Sequence, residues 1–221
     1  ASGEKRKRHS VEVKLLAAQA RDAGLGSGEV ARLTDGAITA IDLMPEMIER
    51  AKASLEEKGF SDRVEVLQMD MNEMEFSDPF DLVWSEGAIY IMGFRNGLEK
   101  IKPLVRERGF VAVSEAVWLK PNPPEVVTQF WQEYPEIASV DEKLKVIDEI
   151  GYSQVGSFVL PAETWTSGYY DHLEKRANEL EQEWQDIPQA LTILQEARNE
   201  VAIFKQHSEY YGYCFFVMRK G

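Results

Sequence analysis

Between Asp22 and Asp42 the chain sets a glycine-rich turn ahead of a short apolar strand that ends in a carboxylate. The turn reads Asp22-Ala-Gly24-Leu-Gly26-Ser-Gly28, and the strand reads Ala37-Ile-Thr-Ala-Ile-Asp42. Glycines let a backbone turn tightly and approach a ligand closely. A carboxylate at a strand end can accept hydrogen bonds from a ribose diol. Together they give the layout of a nucleoside-cofactor site on a doubly wound α/β sheet. The dinucleotide pattern G-x-G-x-x-G fails here, because position 29 is Glu. The spacing is D-x-G-x-G-x-G.

A chain of 221 residues suits one α/β domain with a full core. Hydrophobic residues make up 44% and charged residues 29%, which fits a soluble globular protein. The formal net charge of -13 repels phosphate backbones, so nucleic acid is not the expected substrate, and anionic membranes are disfavoured. Lys5-Arg6-Lys7-Arg8 is the local exception and reads as a solvated terminal tail. Cys214 is the one cysteine, which excludes an internal disulfide and fits a reducing cytoplasm. It sits in an apolar run, as a core residue would. No Cys/His cluster has metal-ligand spacing, so no metal is expected. No apolar run reaches the roughly 20 residues that span a bilayer, and no signal peptide is visible.

From Ala37 onward the periodicity alternates strand and helix, which predicts a parallel sheet. Ala37–Asp42 is a strand, Leu43–Lys58 a helix closed by Gly59, and Arg63–Leu67 a strand with Asp70 and Met71 beyond its end. Phe80–Trp84 is a strand ending at Ser85-Glu86-Gly87-Ala88. Gly93–Val105 is a helix that ends near Arg108-Gly109, and Gly109–Glu115 is the fifth strand. After Pro121, Pro123 and Pro124 the pattern gives helices at Glu125–Tyr134 and Val140–Ile150 and a strand at Ser153–Leu160. A long helical stretch over 169–208 follows, interrupted at Asp186-Ile-Pro188, and then a closing strand Tyr210–Met218. Residues 10–21 favour a helix on propensity, with Ser10 as its cap. A doubly wound sheet instead needs a central strand there, and Leu16–Arg21 is poor in Val and Ile. Three readings stand: a weak strand held by its neighbours, a degenerate first motif, or two pieces of chain not adjacent in the full protein.

Three passages carry a resemblance: Ala37-Ile-Thr-Ala-Ile-Asp-Leu-Met-Pro-Glu-Met-Ile-Glu-Arg-Ala, Asp81-Leu-Val-Trp-Ser-Glu-Gly-Ala-Ile-Tyr90, and Arg108-Gly-Phe-Val-Ala-Val-Ser-Glu115. With them, the chain resembles the class I S-adenosylmethionine-dependent methyltransferases from about residue 22 to its end. It is especially similar to the small-molecule enzymes of the ubiquinone/menaquinone-biosynthesis-like group, which carry an aromatic run like Tyr210-Tyr-Gly-Tyr213. The resemblance implies a Rossmann-like doubly wound seven-stranded sheet, mostly parallel, with an antiparallel last strand and a helical lid. It implies a single domain over 1–221, with its core at about 22–120 and 151–221 and lid helices at about 121–150 and 165–208. The expected partner is a small-molecule substrate, the expected location the cytoplasm, and the expected state a monomer or homodimer.

The resemblance also implies roles for S-adenosylmethionine binding. Gly24, Gly26 and Gly28 would cradle the methionine part, and Asp22 would steer its amino group. Asp42 would bind the ribose hydroxyls, Leu43 and Met47 would lie near the adenine, and Asp70 with the Met71 backbone would meet its amino group. Leu43 and Met47 are equally readable as core, and Asp70 as a turn cap. Ser85 and Glu86 end the fourth strand, where ligands bind in such sheets, and Glu86 would face the cofactor ammonium or the substrate. Tyr90, Trp118, Trp131, Trp165, Tyr169 and Tyr211 would line an acceptor pocket, or else belong to the core. No general base stands out; His172 and Tyr90 are the candidates. The first strand is weak, the first helix is short, and the N-terminal covering helix is truncated or absent. Those departures support an alternative: a non-catalytic relative with weakened cofactor binding that serves as a partner-binding subunit.

Overall fold

The computed structural model describes residues 13–16 and 37–221, the first group by backbone alone. Asp22, Gly24, Gly26, Gly28 and the basic run Lys5–Arg8 lie outside the described residues. One sheet holds the strands β1 (Val13–Leu16), β2 (Ile38–Asp42), β3 (Val64–Gln68), β4 (Phe80–Ser85), β5 (Val105–Trp118), β6 (Ala138–Ser139), β7 (Tyr152–Val159) and β8 (Tyr211–Lys220). The order is β3-β2-β1-β4-β5-β8-β7, with β6 on β5 off this path. That is eight strands among the described residues where seven were expected; the addition is the two-residue β6, which pairs with Val117 and Trp118. β1 to β6 run parallel where they pair, and β8 is antiparallel to both β5 and β7.

The order reverses beside β1: the chain runs outward to β2 and β3, then crosses back to β4. In open α/β sheets the crevice at such a reversal, at the strands' C-terminal ends, is where ligands bind. Over residues 13–16, β1 also corrects the propensity reading of a helix, and the rest of 10–21 lies outside the described residues. The β1 backbone pairs with Ile38–Ile41 on one side and Leu82–Ser85 on the other. Ladder bonds on both sides outweigh a helix preference worth tenths of a kcal/mol per residue.

Alternation of side chains across the strands fills two faces. Ile41, Val83, Val111 and Val113 pack against helices α2 (Phe94–Ile101) and α4 (Val140–Ile150) through Phe94, Leu98, Ile101 and Ile147. Ile38, Ala40 and Val64 pack on the opposite face, with Leu55 of α1 (Pro45–Glu57). β5 is buried on both faces from Val111 to Val117, so its sequence is a near-continuous apolar run. It starts earlier than the pattern suggested. Pro103 ends the helical region in a short 3-10 turn at Lys102–Leu104, and the strand begins at Val105. An irregularity follows, with Phe80 opposite Val105 but Leu82 opposite Phe110, and Arg108 takes φ 63.

A third cluster joins helices α3 (Glu125–Phe130), α5 (Ala162–Trp165), α6 (Asp171–Glu183) and α7 (Pro188–His207) to Ala116 and Tyr211. A π-helical turn at Thr166–Tyr170 links α5 to α6. Tyr170 and Phe204 are fully buried there, and the Trp165 ring lies 4.6 Å from that of Tyr213. On β8, Cys214 is 1% exposed, and burial pushes its thiol up to about 11.

One close approach in the core is testable. A Cβ added at Gly97 in α2 would lie 2.6 Å from Ile89 Cγ1, and Ile89 is fully buried. Gly97→Ala is therefore expected to destabilise the protein by about 1–3 kcal/mol, although alanine favours helices by about 1 kcal/mol. Urea unfolding measures it; a gain in stability would contradict the packing described.

Candidate functional site

The C-terminal ends of β2, β3, β4 and β5 form one rim. Ladder registry sets Asp42 opposite Gln68, and Ser85 opposite Leu16 on one side and Val113 on the other. β2, β3 and β4 therefore deliver their last residues to a common level, each followed by a turn, while β5 runs on past it from Val113 to Trp118. The β2 turn is braced. Asp42 Oδ1 accepts from Met44 N–H at 2.8 Å, the Asp42 carbonyl accepts from Met69 N–H at 2.9 Å, and Gln68 Nε2 donates to the Leu43 carbonyl at 3.2 Å. Pro45 then opens α1 at a position where no amide donor is needed. Among the described residues, no hydrogen bond engages Asp42 Oδ2.

Leu43 is 58% exposed, so it is no core residue but an apolar side chain standing beside Asp42. Met47 is half-buried in the first turn of α1. Asp70 does cap a turn: its Oδ1 accepts from Asn72 N–H at 2.7 Å and Asn72 Nδ2 at 3.1 Å. Met71 is buried in the main core, so it can offer the rim only its backbone.

The β4 turn is the second fixed point. Gly87 adopts φ 59, a left-handed conformation that glycine reaches without steric cost. Its N–H donates to Ser114 Oγ at 2.8 Å, tying the turn to β5. Glu86 rides on this turn. Its carboxyl pKa is raised, chiefly by burial, against the lowering effect of the hydrogen bond from Trp84 Nε1 at 3.3 Å. Ser85 is fully buried, and its hydroxyl has no hydrogen-bond partner among the described residues. Asp42, Asp70 and Glu86 thus line the rim with carboxylates, an arrangement suited to a cationic ligand with hydroxyl donors.

Sequence reasoning missed the group next to this turn. Glu115 is buried on β5, and its Oε1 accepts from Lys143 Nζ of α4 at 2.8 Å and from the Tyr134 hydroxyl. Burial still holds the Glu115 carboxyl above its ordinary range, although Lys143 pulls it down. Burial, with Glu115 beside it, likewise raises the Tyr134 hydroxyl. The Tyr134 ring meets Tyr90 edge-on at 6.1 Å, and Tyr90 is 39% exposed. The signal was available: Glu115 ends an apolar strand segment just as Asp42 does, and a buried carboxylate needs a partner.

The proposed acceptor residues belong to one aromatic network, with Tyr134 between Tyr90 and Trp131. Tyr90 stands at the rim. Tyr211 is buried among Trp131, Phe130 and Phe204. Trp118 meets Trp131 at 6.4 Å, and Tyr169 meets Trp165 at 6.3 Å, so all four belong to the aromatic cluster. His172 is exposed in the first turn of α6. Among the described residues, no group of His, Cys, Asp and Glu could hold a metal ion, and no helix is long and apolar enough to cross a membrane.

Residues 20–109 match the sequence profile of a methyltransferase domain. No curated protein matches the chain. Among solved structures, a S-adenosylmethionine-dependent methyltransferase from Geobacter sulfurreducens, in complex with S-adenosyl-L-homocysteine, superposes with a TM-score of 0.80 at 21% identity. The match covers 96% of this chain and 85% of that one. The corresponding enzyme from Thiobacillus denitrificans, also with S-adenosyl-L-homocysteine, gives 0.77 at 19%, covering 96% and 86%. The [4+2]-cyclase SpnF gives 0.74 at 17%, covering 96% and 74%. What these three share with the chain is the fold, and the third shows that the fold alone does not fix the reaction.

Proposed function

We propose that this chain is an S-adenosylmethionine-dependent methyltransferase that acts on a small molecule. The observation that carries this reading is the rim itself: Asp42 with one carboxylate oxygen unengaged among the described residues, exposed Leu43 beside it, and Glu86 on a pinned turn across the order reversal of the sheet. The match of residues 20–109 to a methyltransferase domain supports it.

These residues fit the cofactor's parts. Asp42 would accept the ribose diol, and Leu43, with Met47 behind it, would flank the adenine. Asp70 would take the adenine amino group on the oxygen that Asn72 leaves, beside the Met71 backbone. Glu86 would attract the ammonium. When bound, the cofactor supplies a methyl group on a sulfonium for in-line displacement. The chain's own part is to orient and to exclude water. The pinned Gly87 turn fixes Glu86, and Tyr90, held edge-on by Tyr134, presents an aromatic wall on the acceptor side, where its face attracts a cationic centre. The helices at 165–208, which pack on Ala116 and Tyr211, would cover this end of the sheet and select the acceptor.

Isothermal titration of the protein with S-adenosylmethionine, S-adenosylhomocysteine and NAD tests this. Binding of the two adenosyl ligands and not of NAD is the expected result. A folded protein that binds neither adenosyl ligand would sink the proposal and favour the partner-binding alternative.

A further inference from the structure

Among the described residues, β7 is the edge of the sheet and pairs with β8 alone. Only Tyr152 of this strand is buried; every residue from Ser153 to Val159 is exposed. Val155 is 57% and Phe158 54% exposed. An edge strand presents unpaired N–H and C=O groups, and proteins usually guard such edges with charge, proline or a bulge. This edge has no charge at all. From Ile150 to Ala162 there is no Asp, Glu, Lys or Arg, the longest such run in the chain. Its one guard is an irregularity between Gln154 and Gly156.

The uncharged run matters because of what surrounds it. Two copies of a chain at net charge -13 repel each other over most of their surfaces. They can approach only where carboxylates are absent or neutralised. In α4, beside β7, Glu149 is neutralised by Arg95, and Asp148 Oδ2 is turned onto Gln154 Nε2 of the strand itself at 2.8 Å. The strand is also suited to meet itself, since a two-fold axis brings a strand against its own copy in antiparallel register.

We propose that β7 pairs antiparallel with β7 of a second copy of this chain, joining the two sheets across a two-fold axis. Val155 lies near the middle of the strand and so near its own copy. Two short edges bury less than a standard interface, about 1,200 Å² or less in total, so the dimer belongs to the weaker class. Backbone hydrogen bonds supply the register, and the exposed apolar side chains supply the burial.

Sedimentation velocity on the full chain, over a wide concentration range, tests this independently of the methyltransferase reading. The wild-type chain is expected to dimerise. Val155→Lys and Val155→Glu are each expected to weaken the dimer at least about tenfold, because like charges meet across the axis. Mixing the two variants in equal amounts is expected to restore association, since the charges then oppose. Circular dichroism confirms that each variant is folded; if either is not, the pair Gly156→Lys and Gly156→Glu, next to the axis and where an added side chain meets open space, replaces it. A wild-type chain that stays monomeric overturns the proposal. So does a dimer that neither substitution weakens, or a mixture that fails to associate.

Discussion

Replacing Lys143 with methionine is expected to destabilise the protein by about 3–5 kcal/mol, the usual cost of stranding one half of a buried ion pair. The side chains of Lys143 and Glu115 are 3% and 1% exposed. The ammonium sits 4.5 Å from the Phe94 ring centroid and 5.7 Å from that of Tyr134, so methionine fits the aromatic surroundings but not the charge. Glu115 would keep only the Tyr134 hydroxyl as donor. Removing both charges together, in Glu115→Leu with Lys143→Met, is expected to recover much of the loss, because a well-packed apolar pair replaces a desolvated ionic one.

The pH dependence gives a second readout. The folded pKa of Glu115 lies above the ordinary 4.5 even with Lys143 present, because burial outweighs the attraction. Without Lys143 it rises further. A carboxyl whose folded pKa exceeds its unfolded value stabilises the protein below the unfolded pKa, and that contribution is lost as pH rises through the folded pKa. The deficit of Lys143→Met should therefore be larger at neutral pH than in mild acid. Urea midpoints at the two pH values measure it. Equal deficits, with a double variant no more stable than the single, would contradict the ion-pair account.

Asp42→Ala is expected to weaken S-adenosylhomocysteine binding at least about 100-fold. The proposed ribose contact uses two hydrogen bonds to a charged acceptor, each worth about 1.5–3 kcal/mol, and each tenfold in affinity is about 1.4 kcal/mol. Asp42 also accepts from Met44 N–H, so alanine alters the turn as well. Asp42→Asn keeps that acceptor while removing the charge and one ribose acceptor, and about tenfold weakening is expected. Calorimetric titration of both folded variants checks the order. Unchanged affinity in Asp42→Ala would remove this residue from the site.

Much of this architecture was legible because it is local. Ile48 and Leu55 repeat at helical spacing, Gly59 and Gly151 stop their helices with positive φ, and Ser139 with Glu142 forms a reciprocal cap. The rim was legible for the same reason, since Asp42, Asp70 and Glu86 each follow an apolar strand. What escaped depends on distant partners. β1 is fixed by two neighbouring strands rather than by its composition, and β6 is two residues defined by Val117 and Trp118. An aromatic residue also reads alike in a pocket and in a core, so the sequence did not tell how far each of Tyr90, Trp131 and Tyr211 is exposed. Nothing in the sequence singles out Lys143, because a lysine in a helix is usually exposed, yet it occupies a core-facing position of α4.

Cys214 has a practical consequence. The chain's single thiol is sealed inside β8, with a pKa pushed up to about 11, so little of it is thiolate near neutral pH. Maleimide and iodoacetamide reagents need an accessible thiolate and should leave the native protein unlabelled. A cysteine introduced at an exposed position would then be the one reactive handle, and a fluorophore or spin label could be attached there without first removing a native residue.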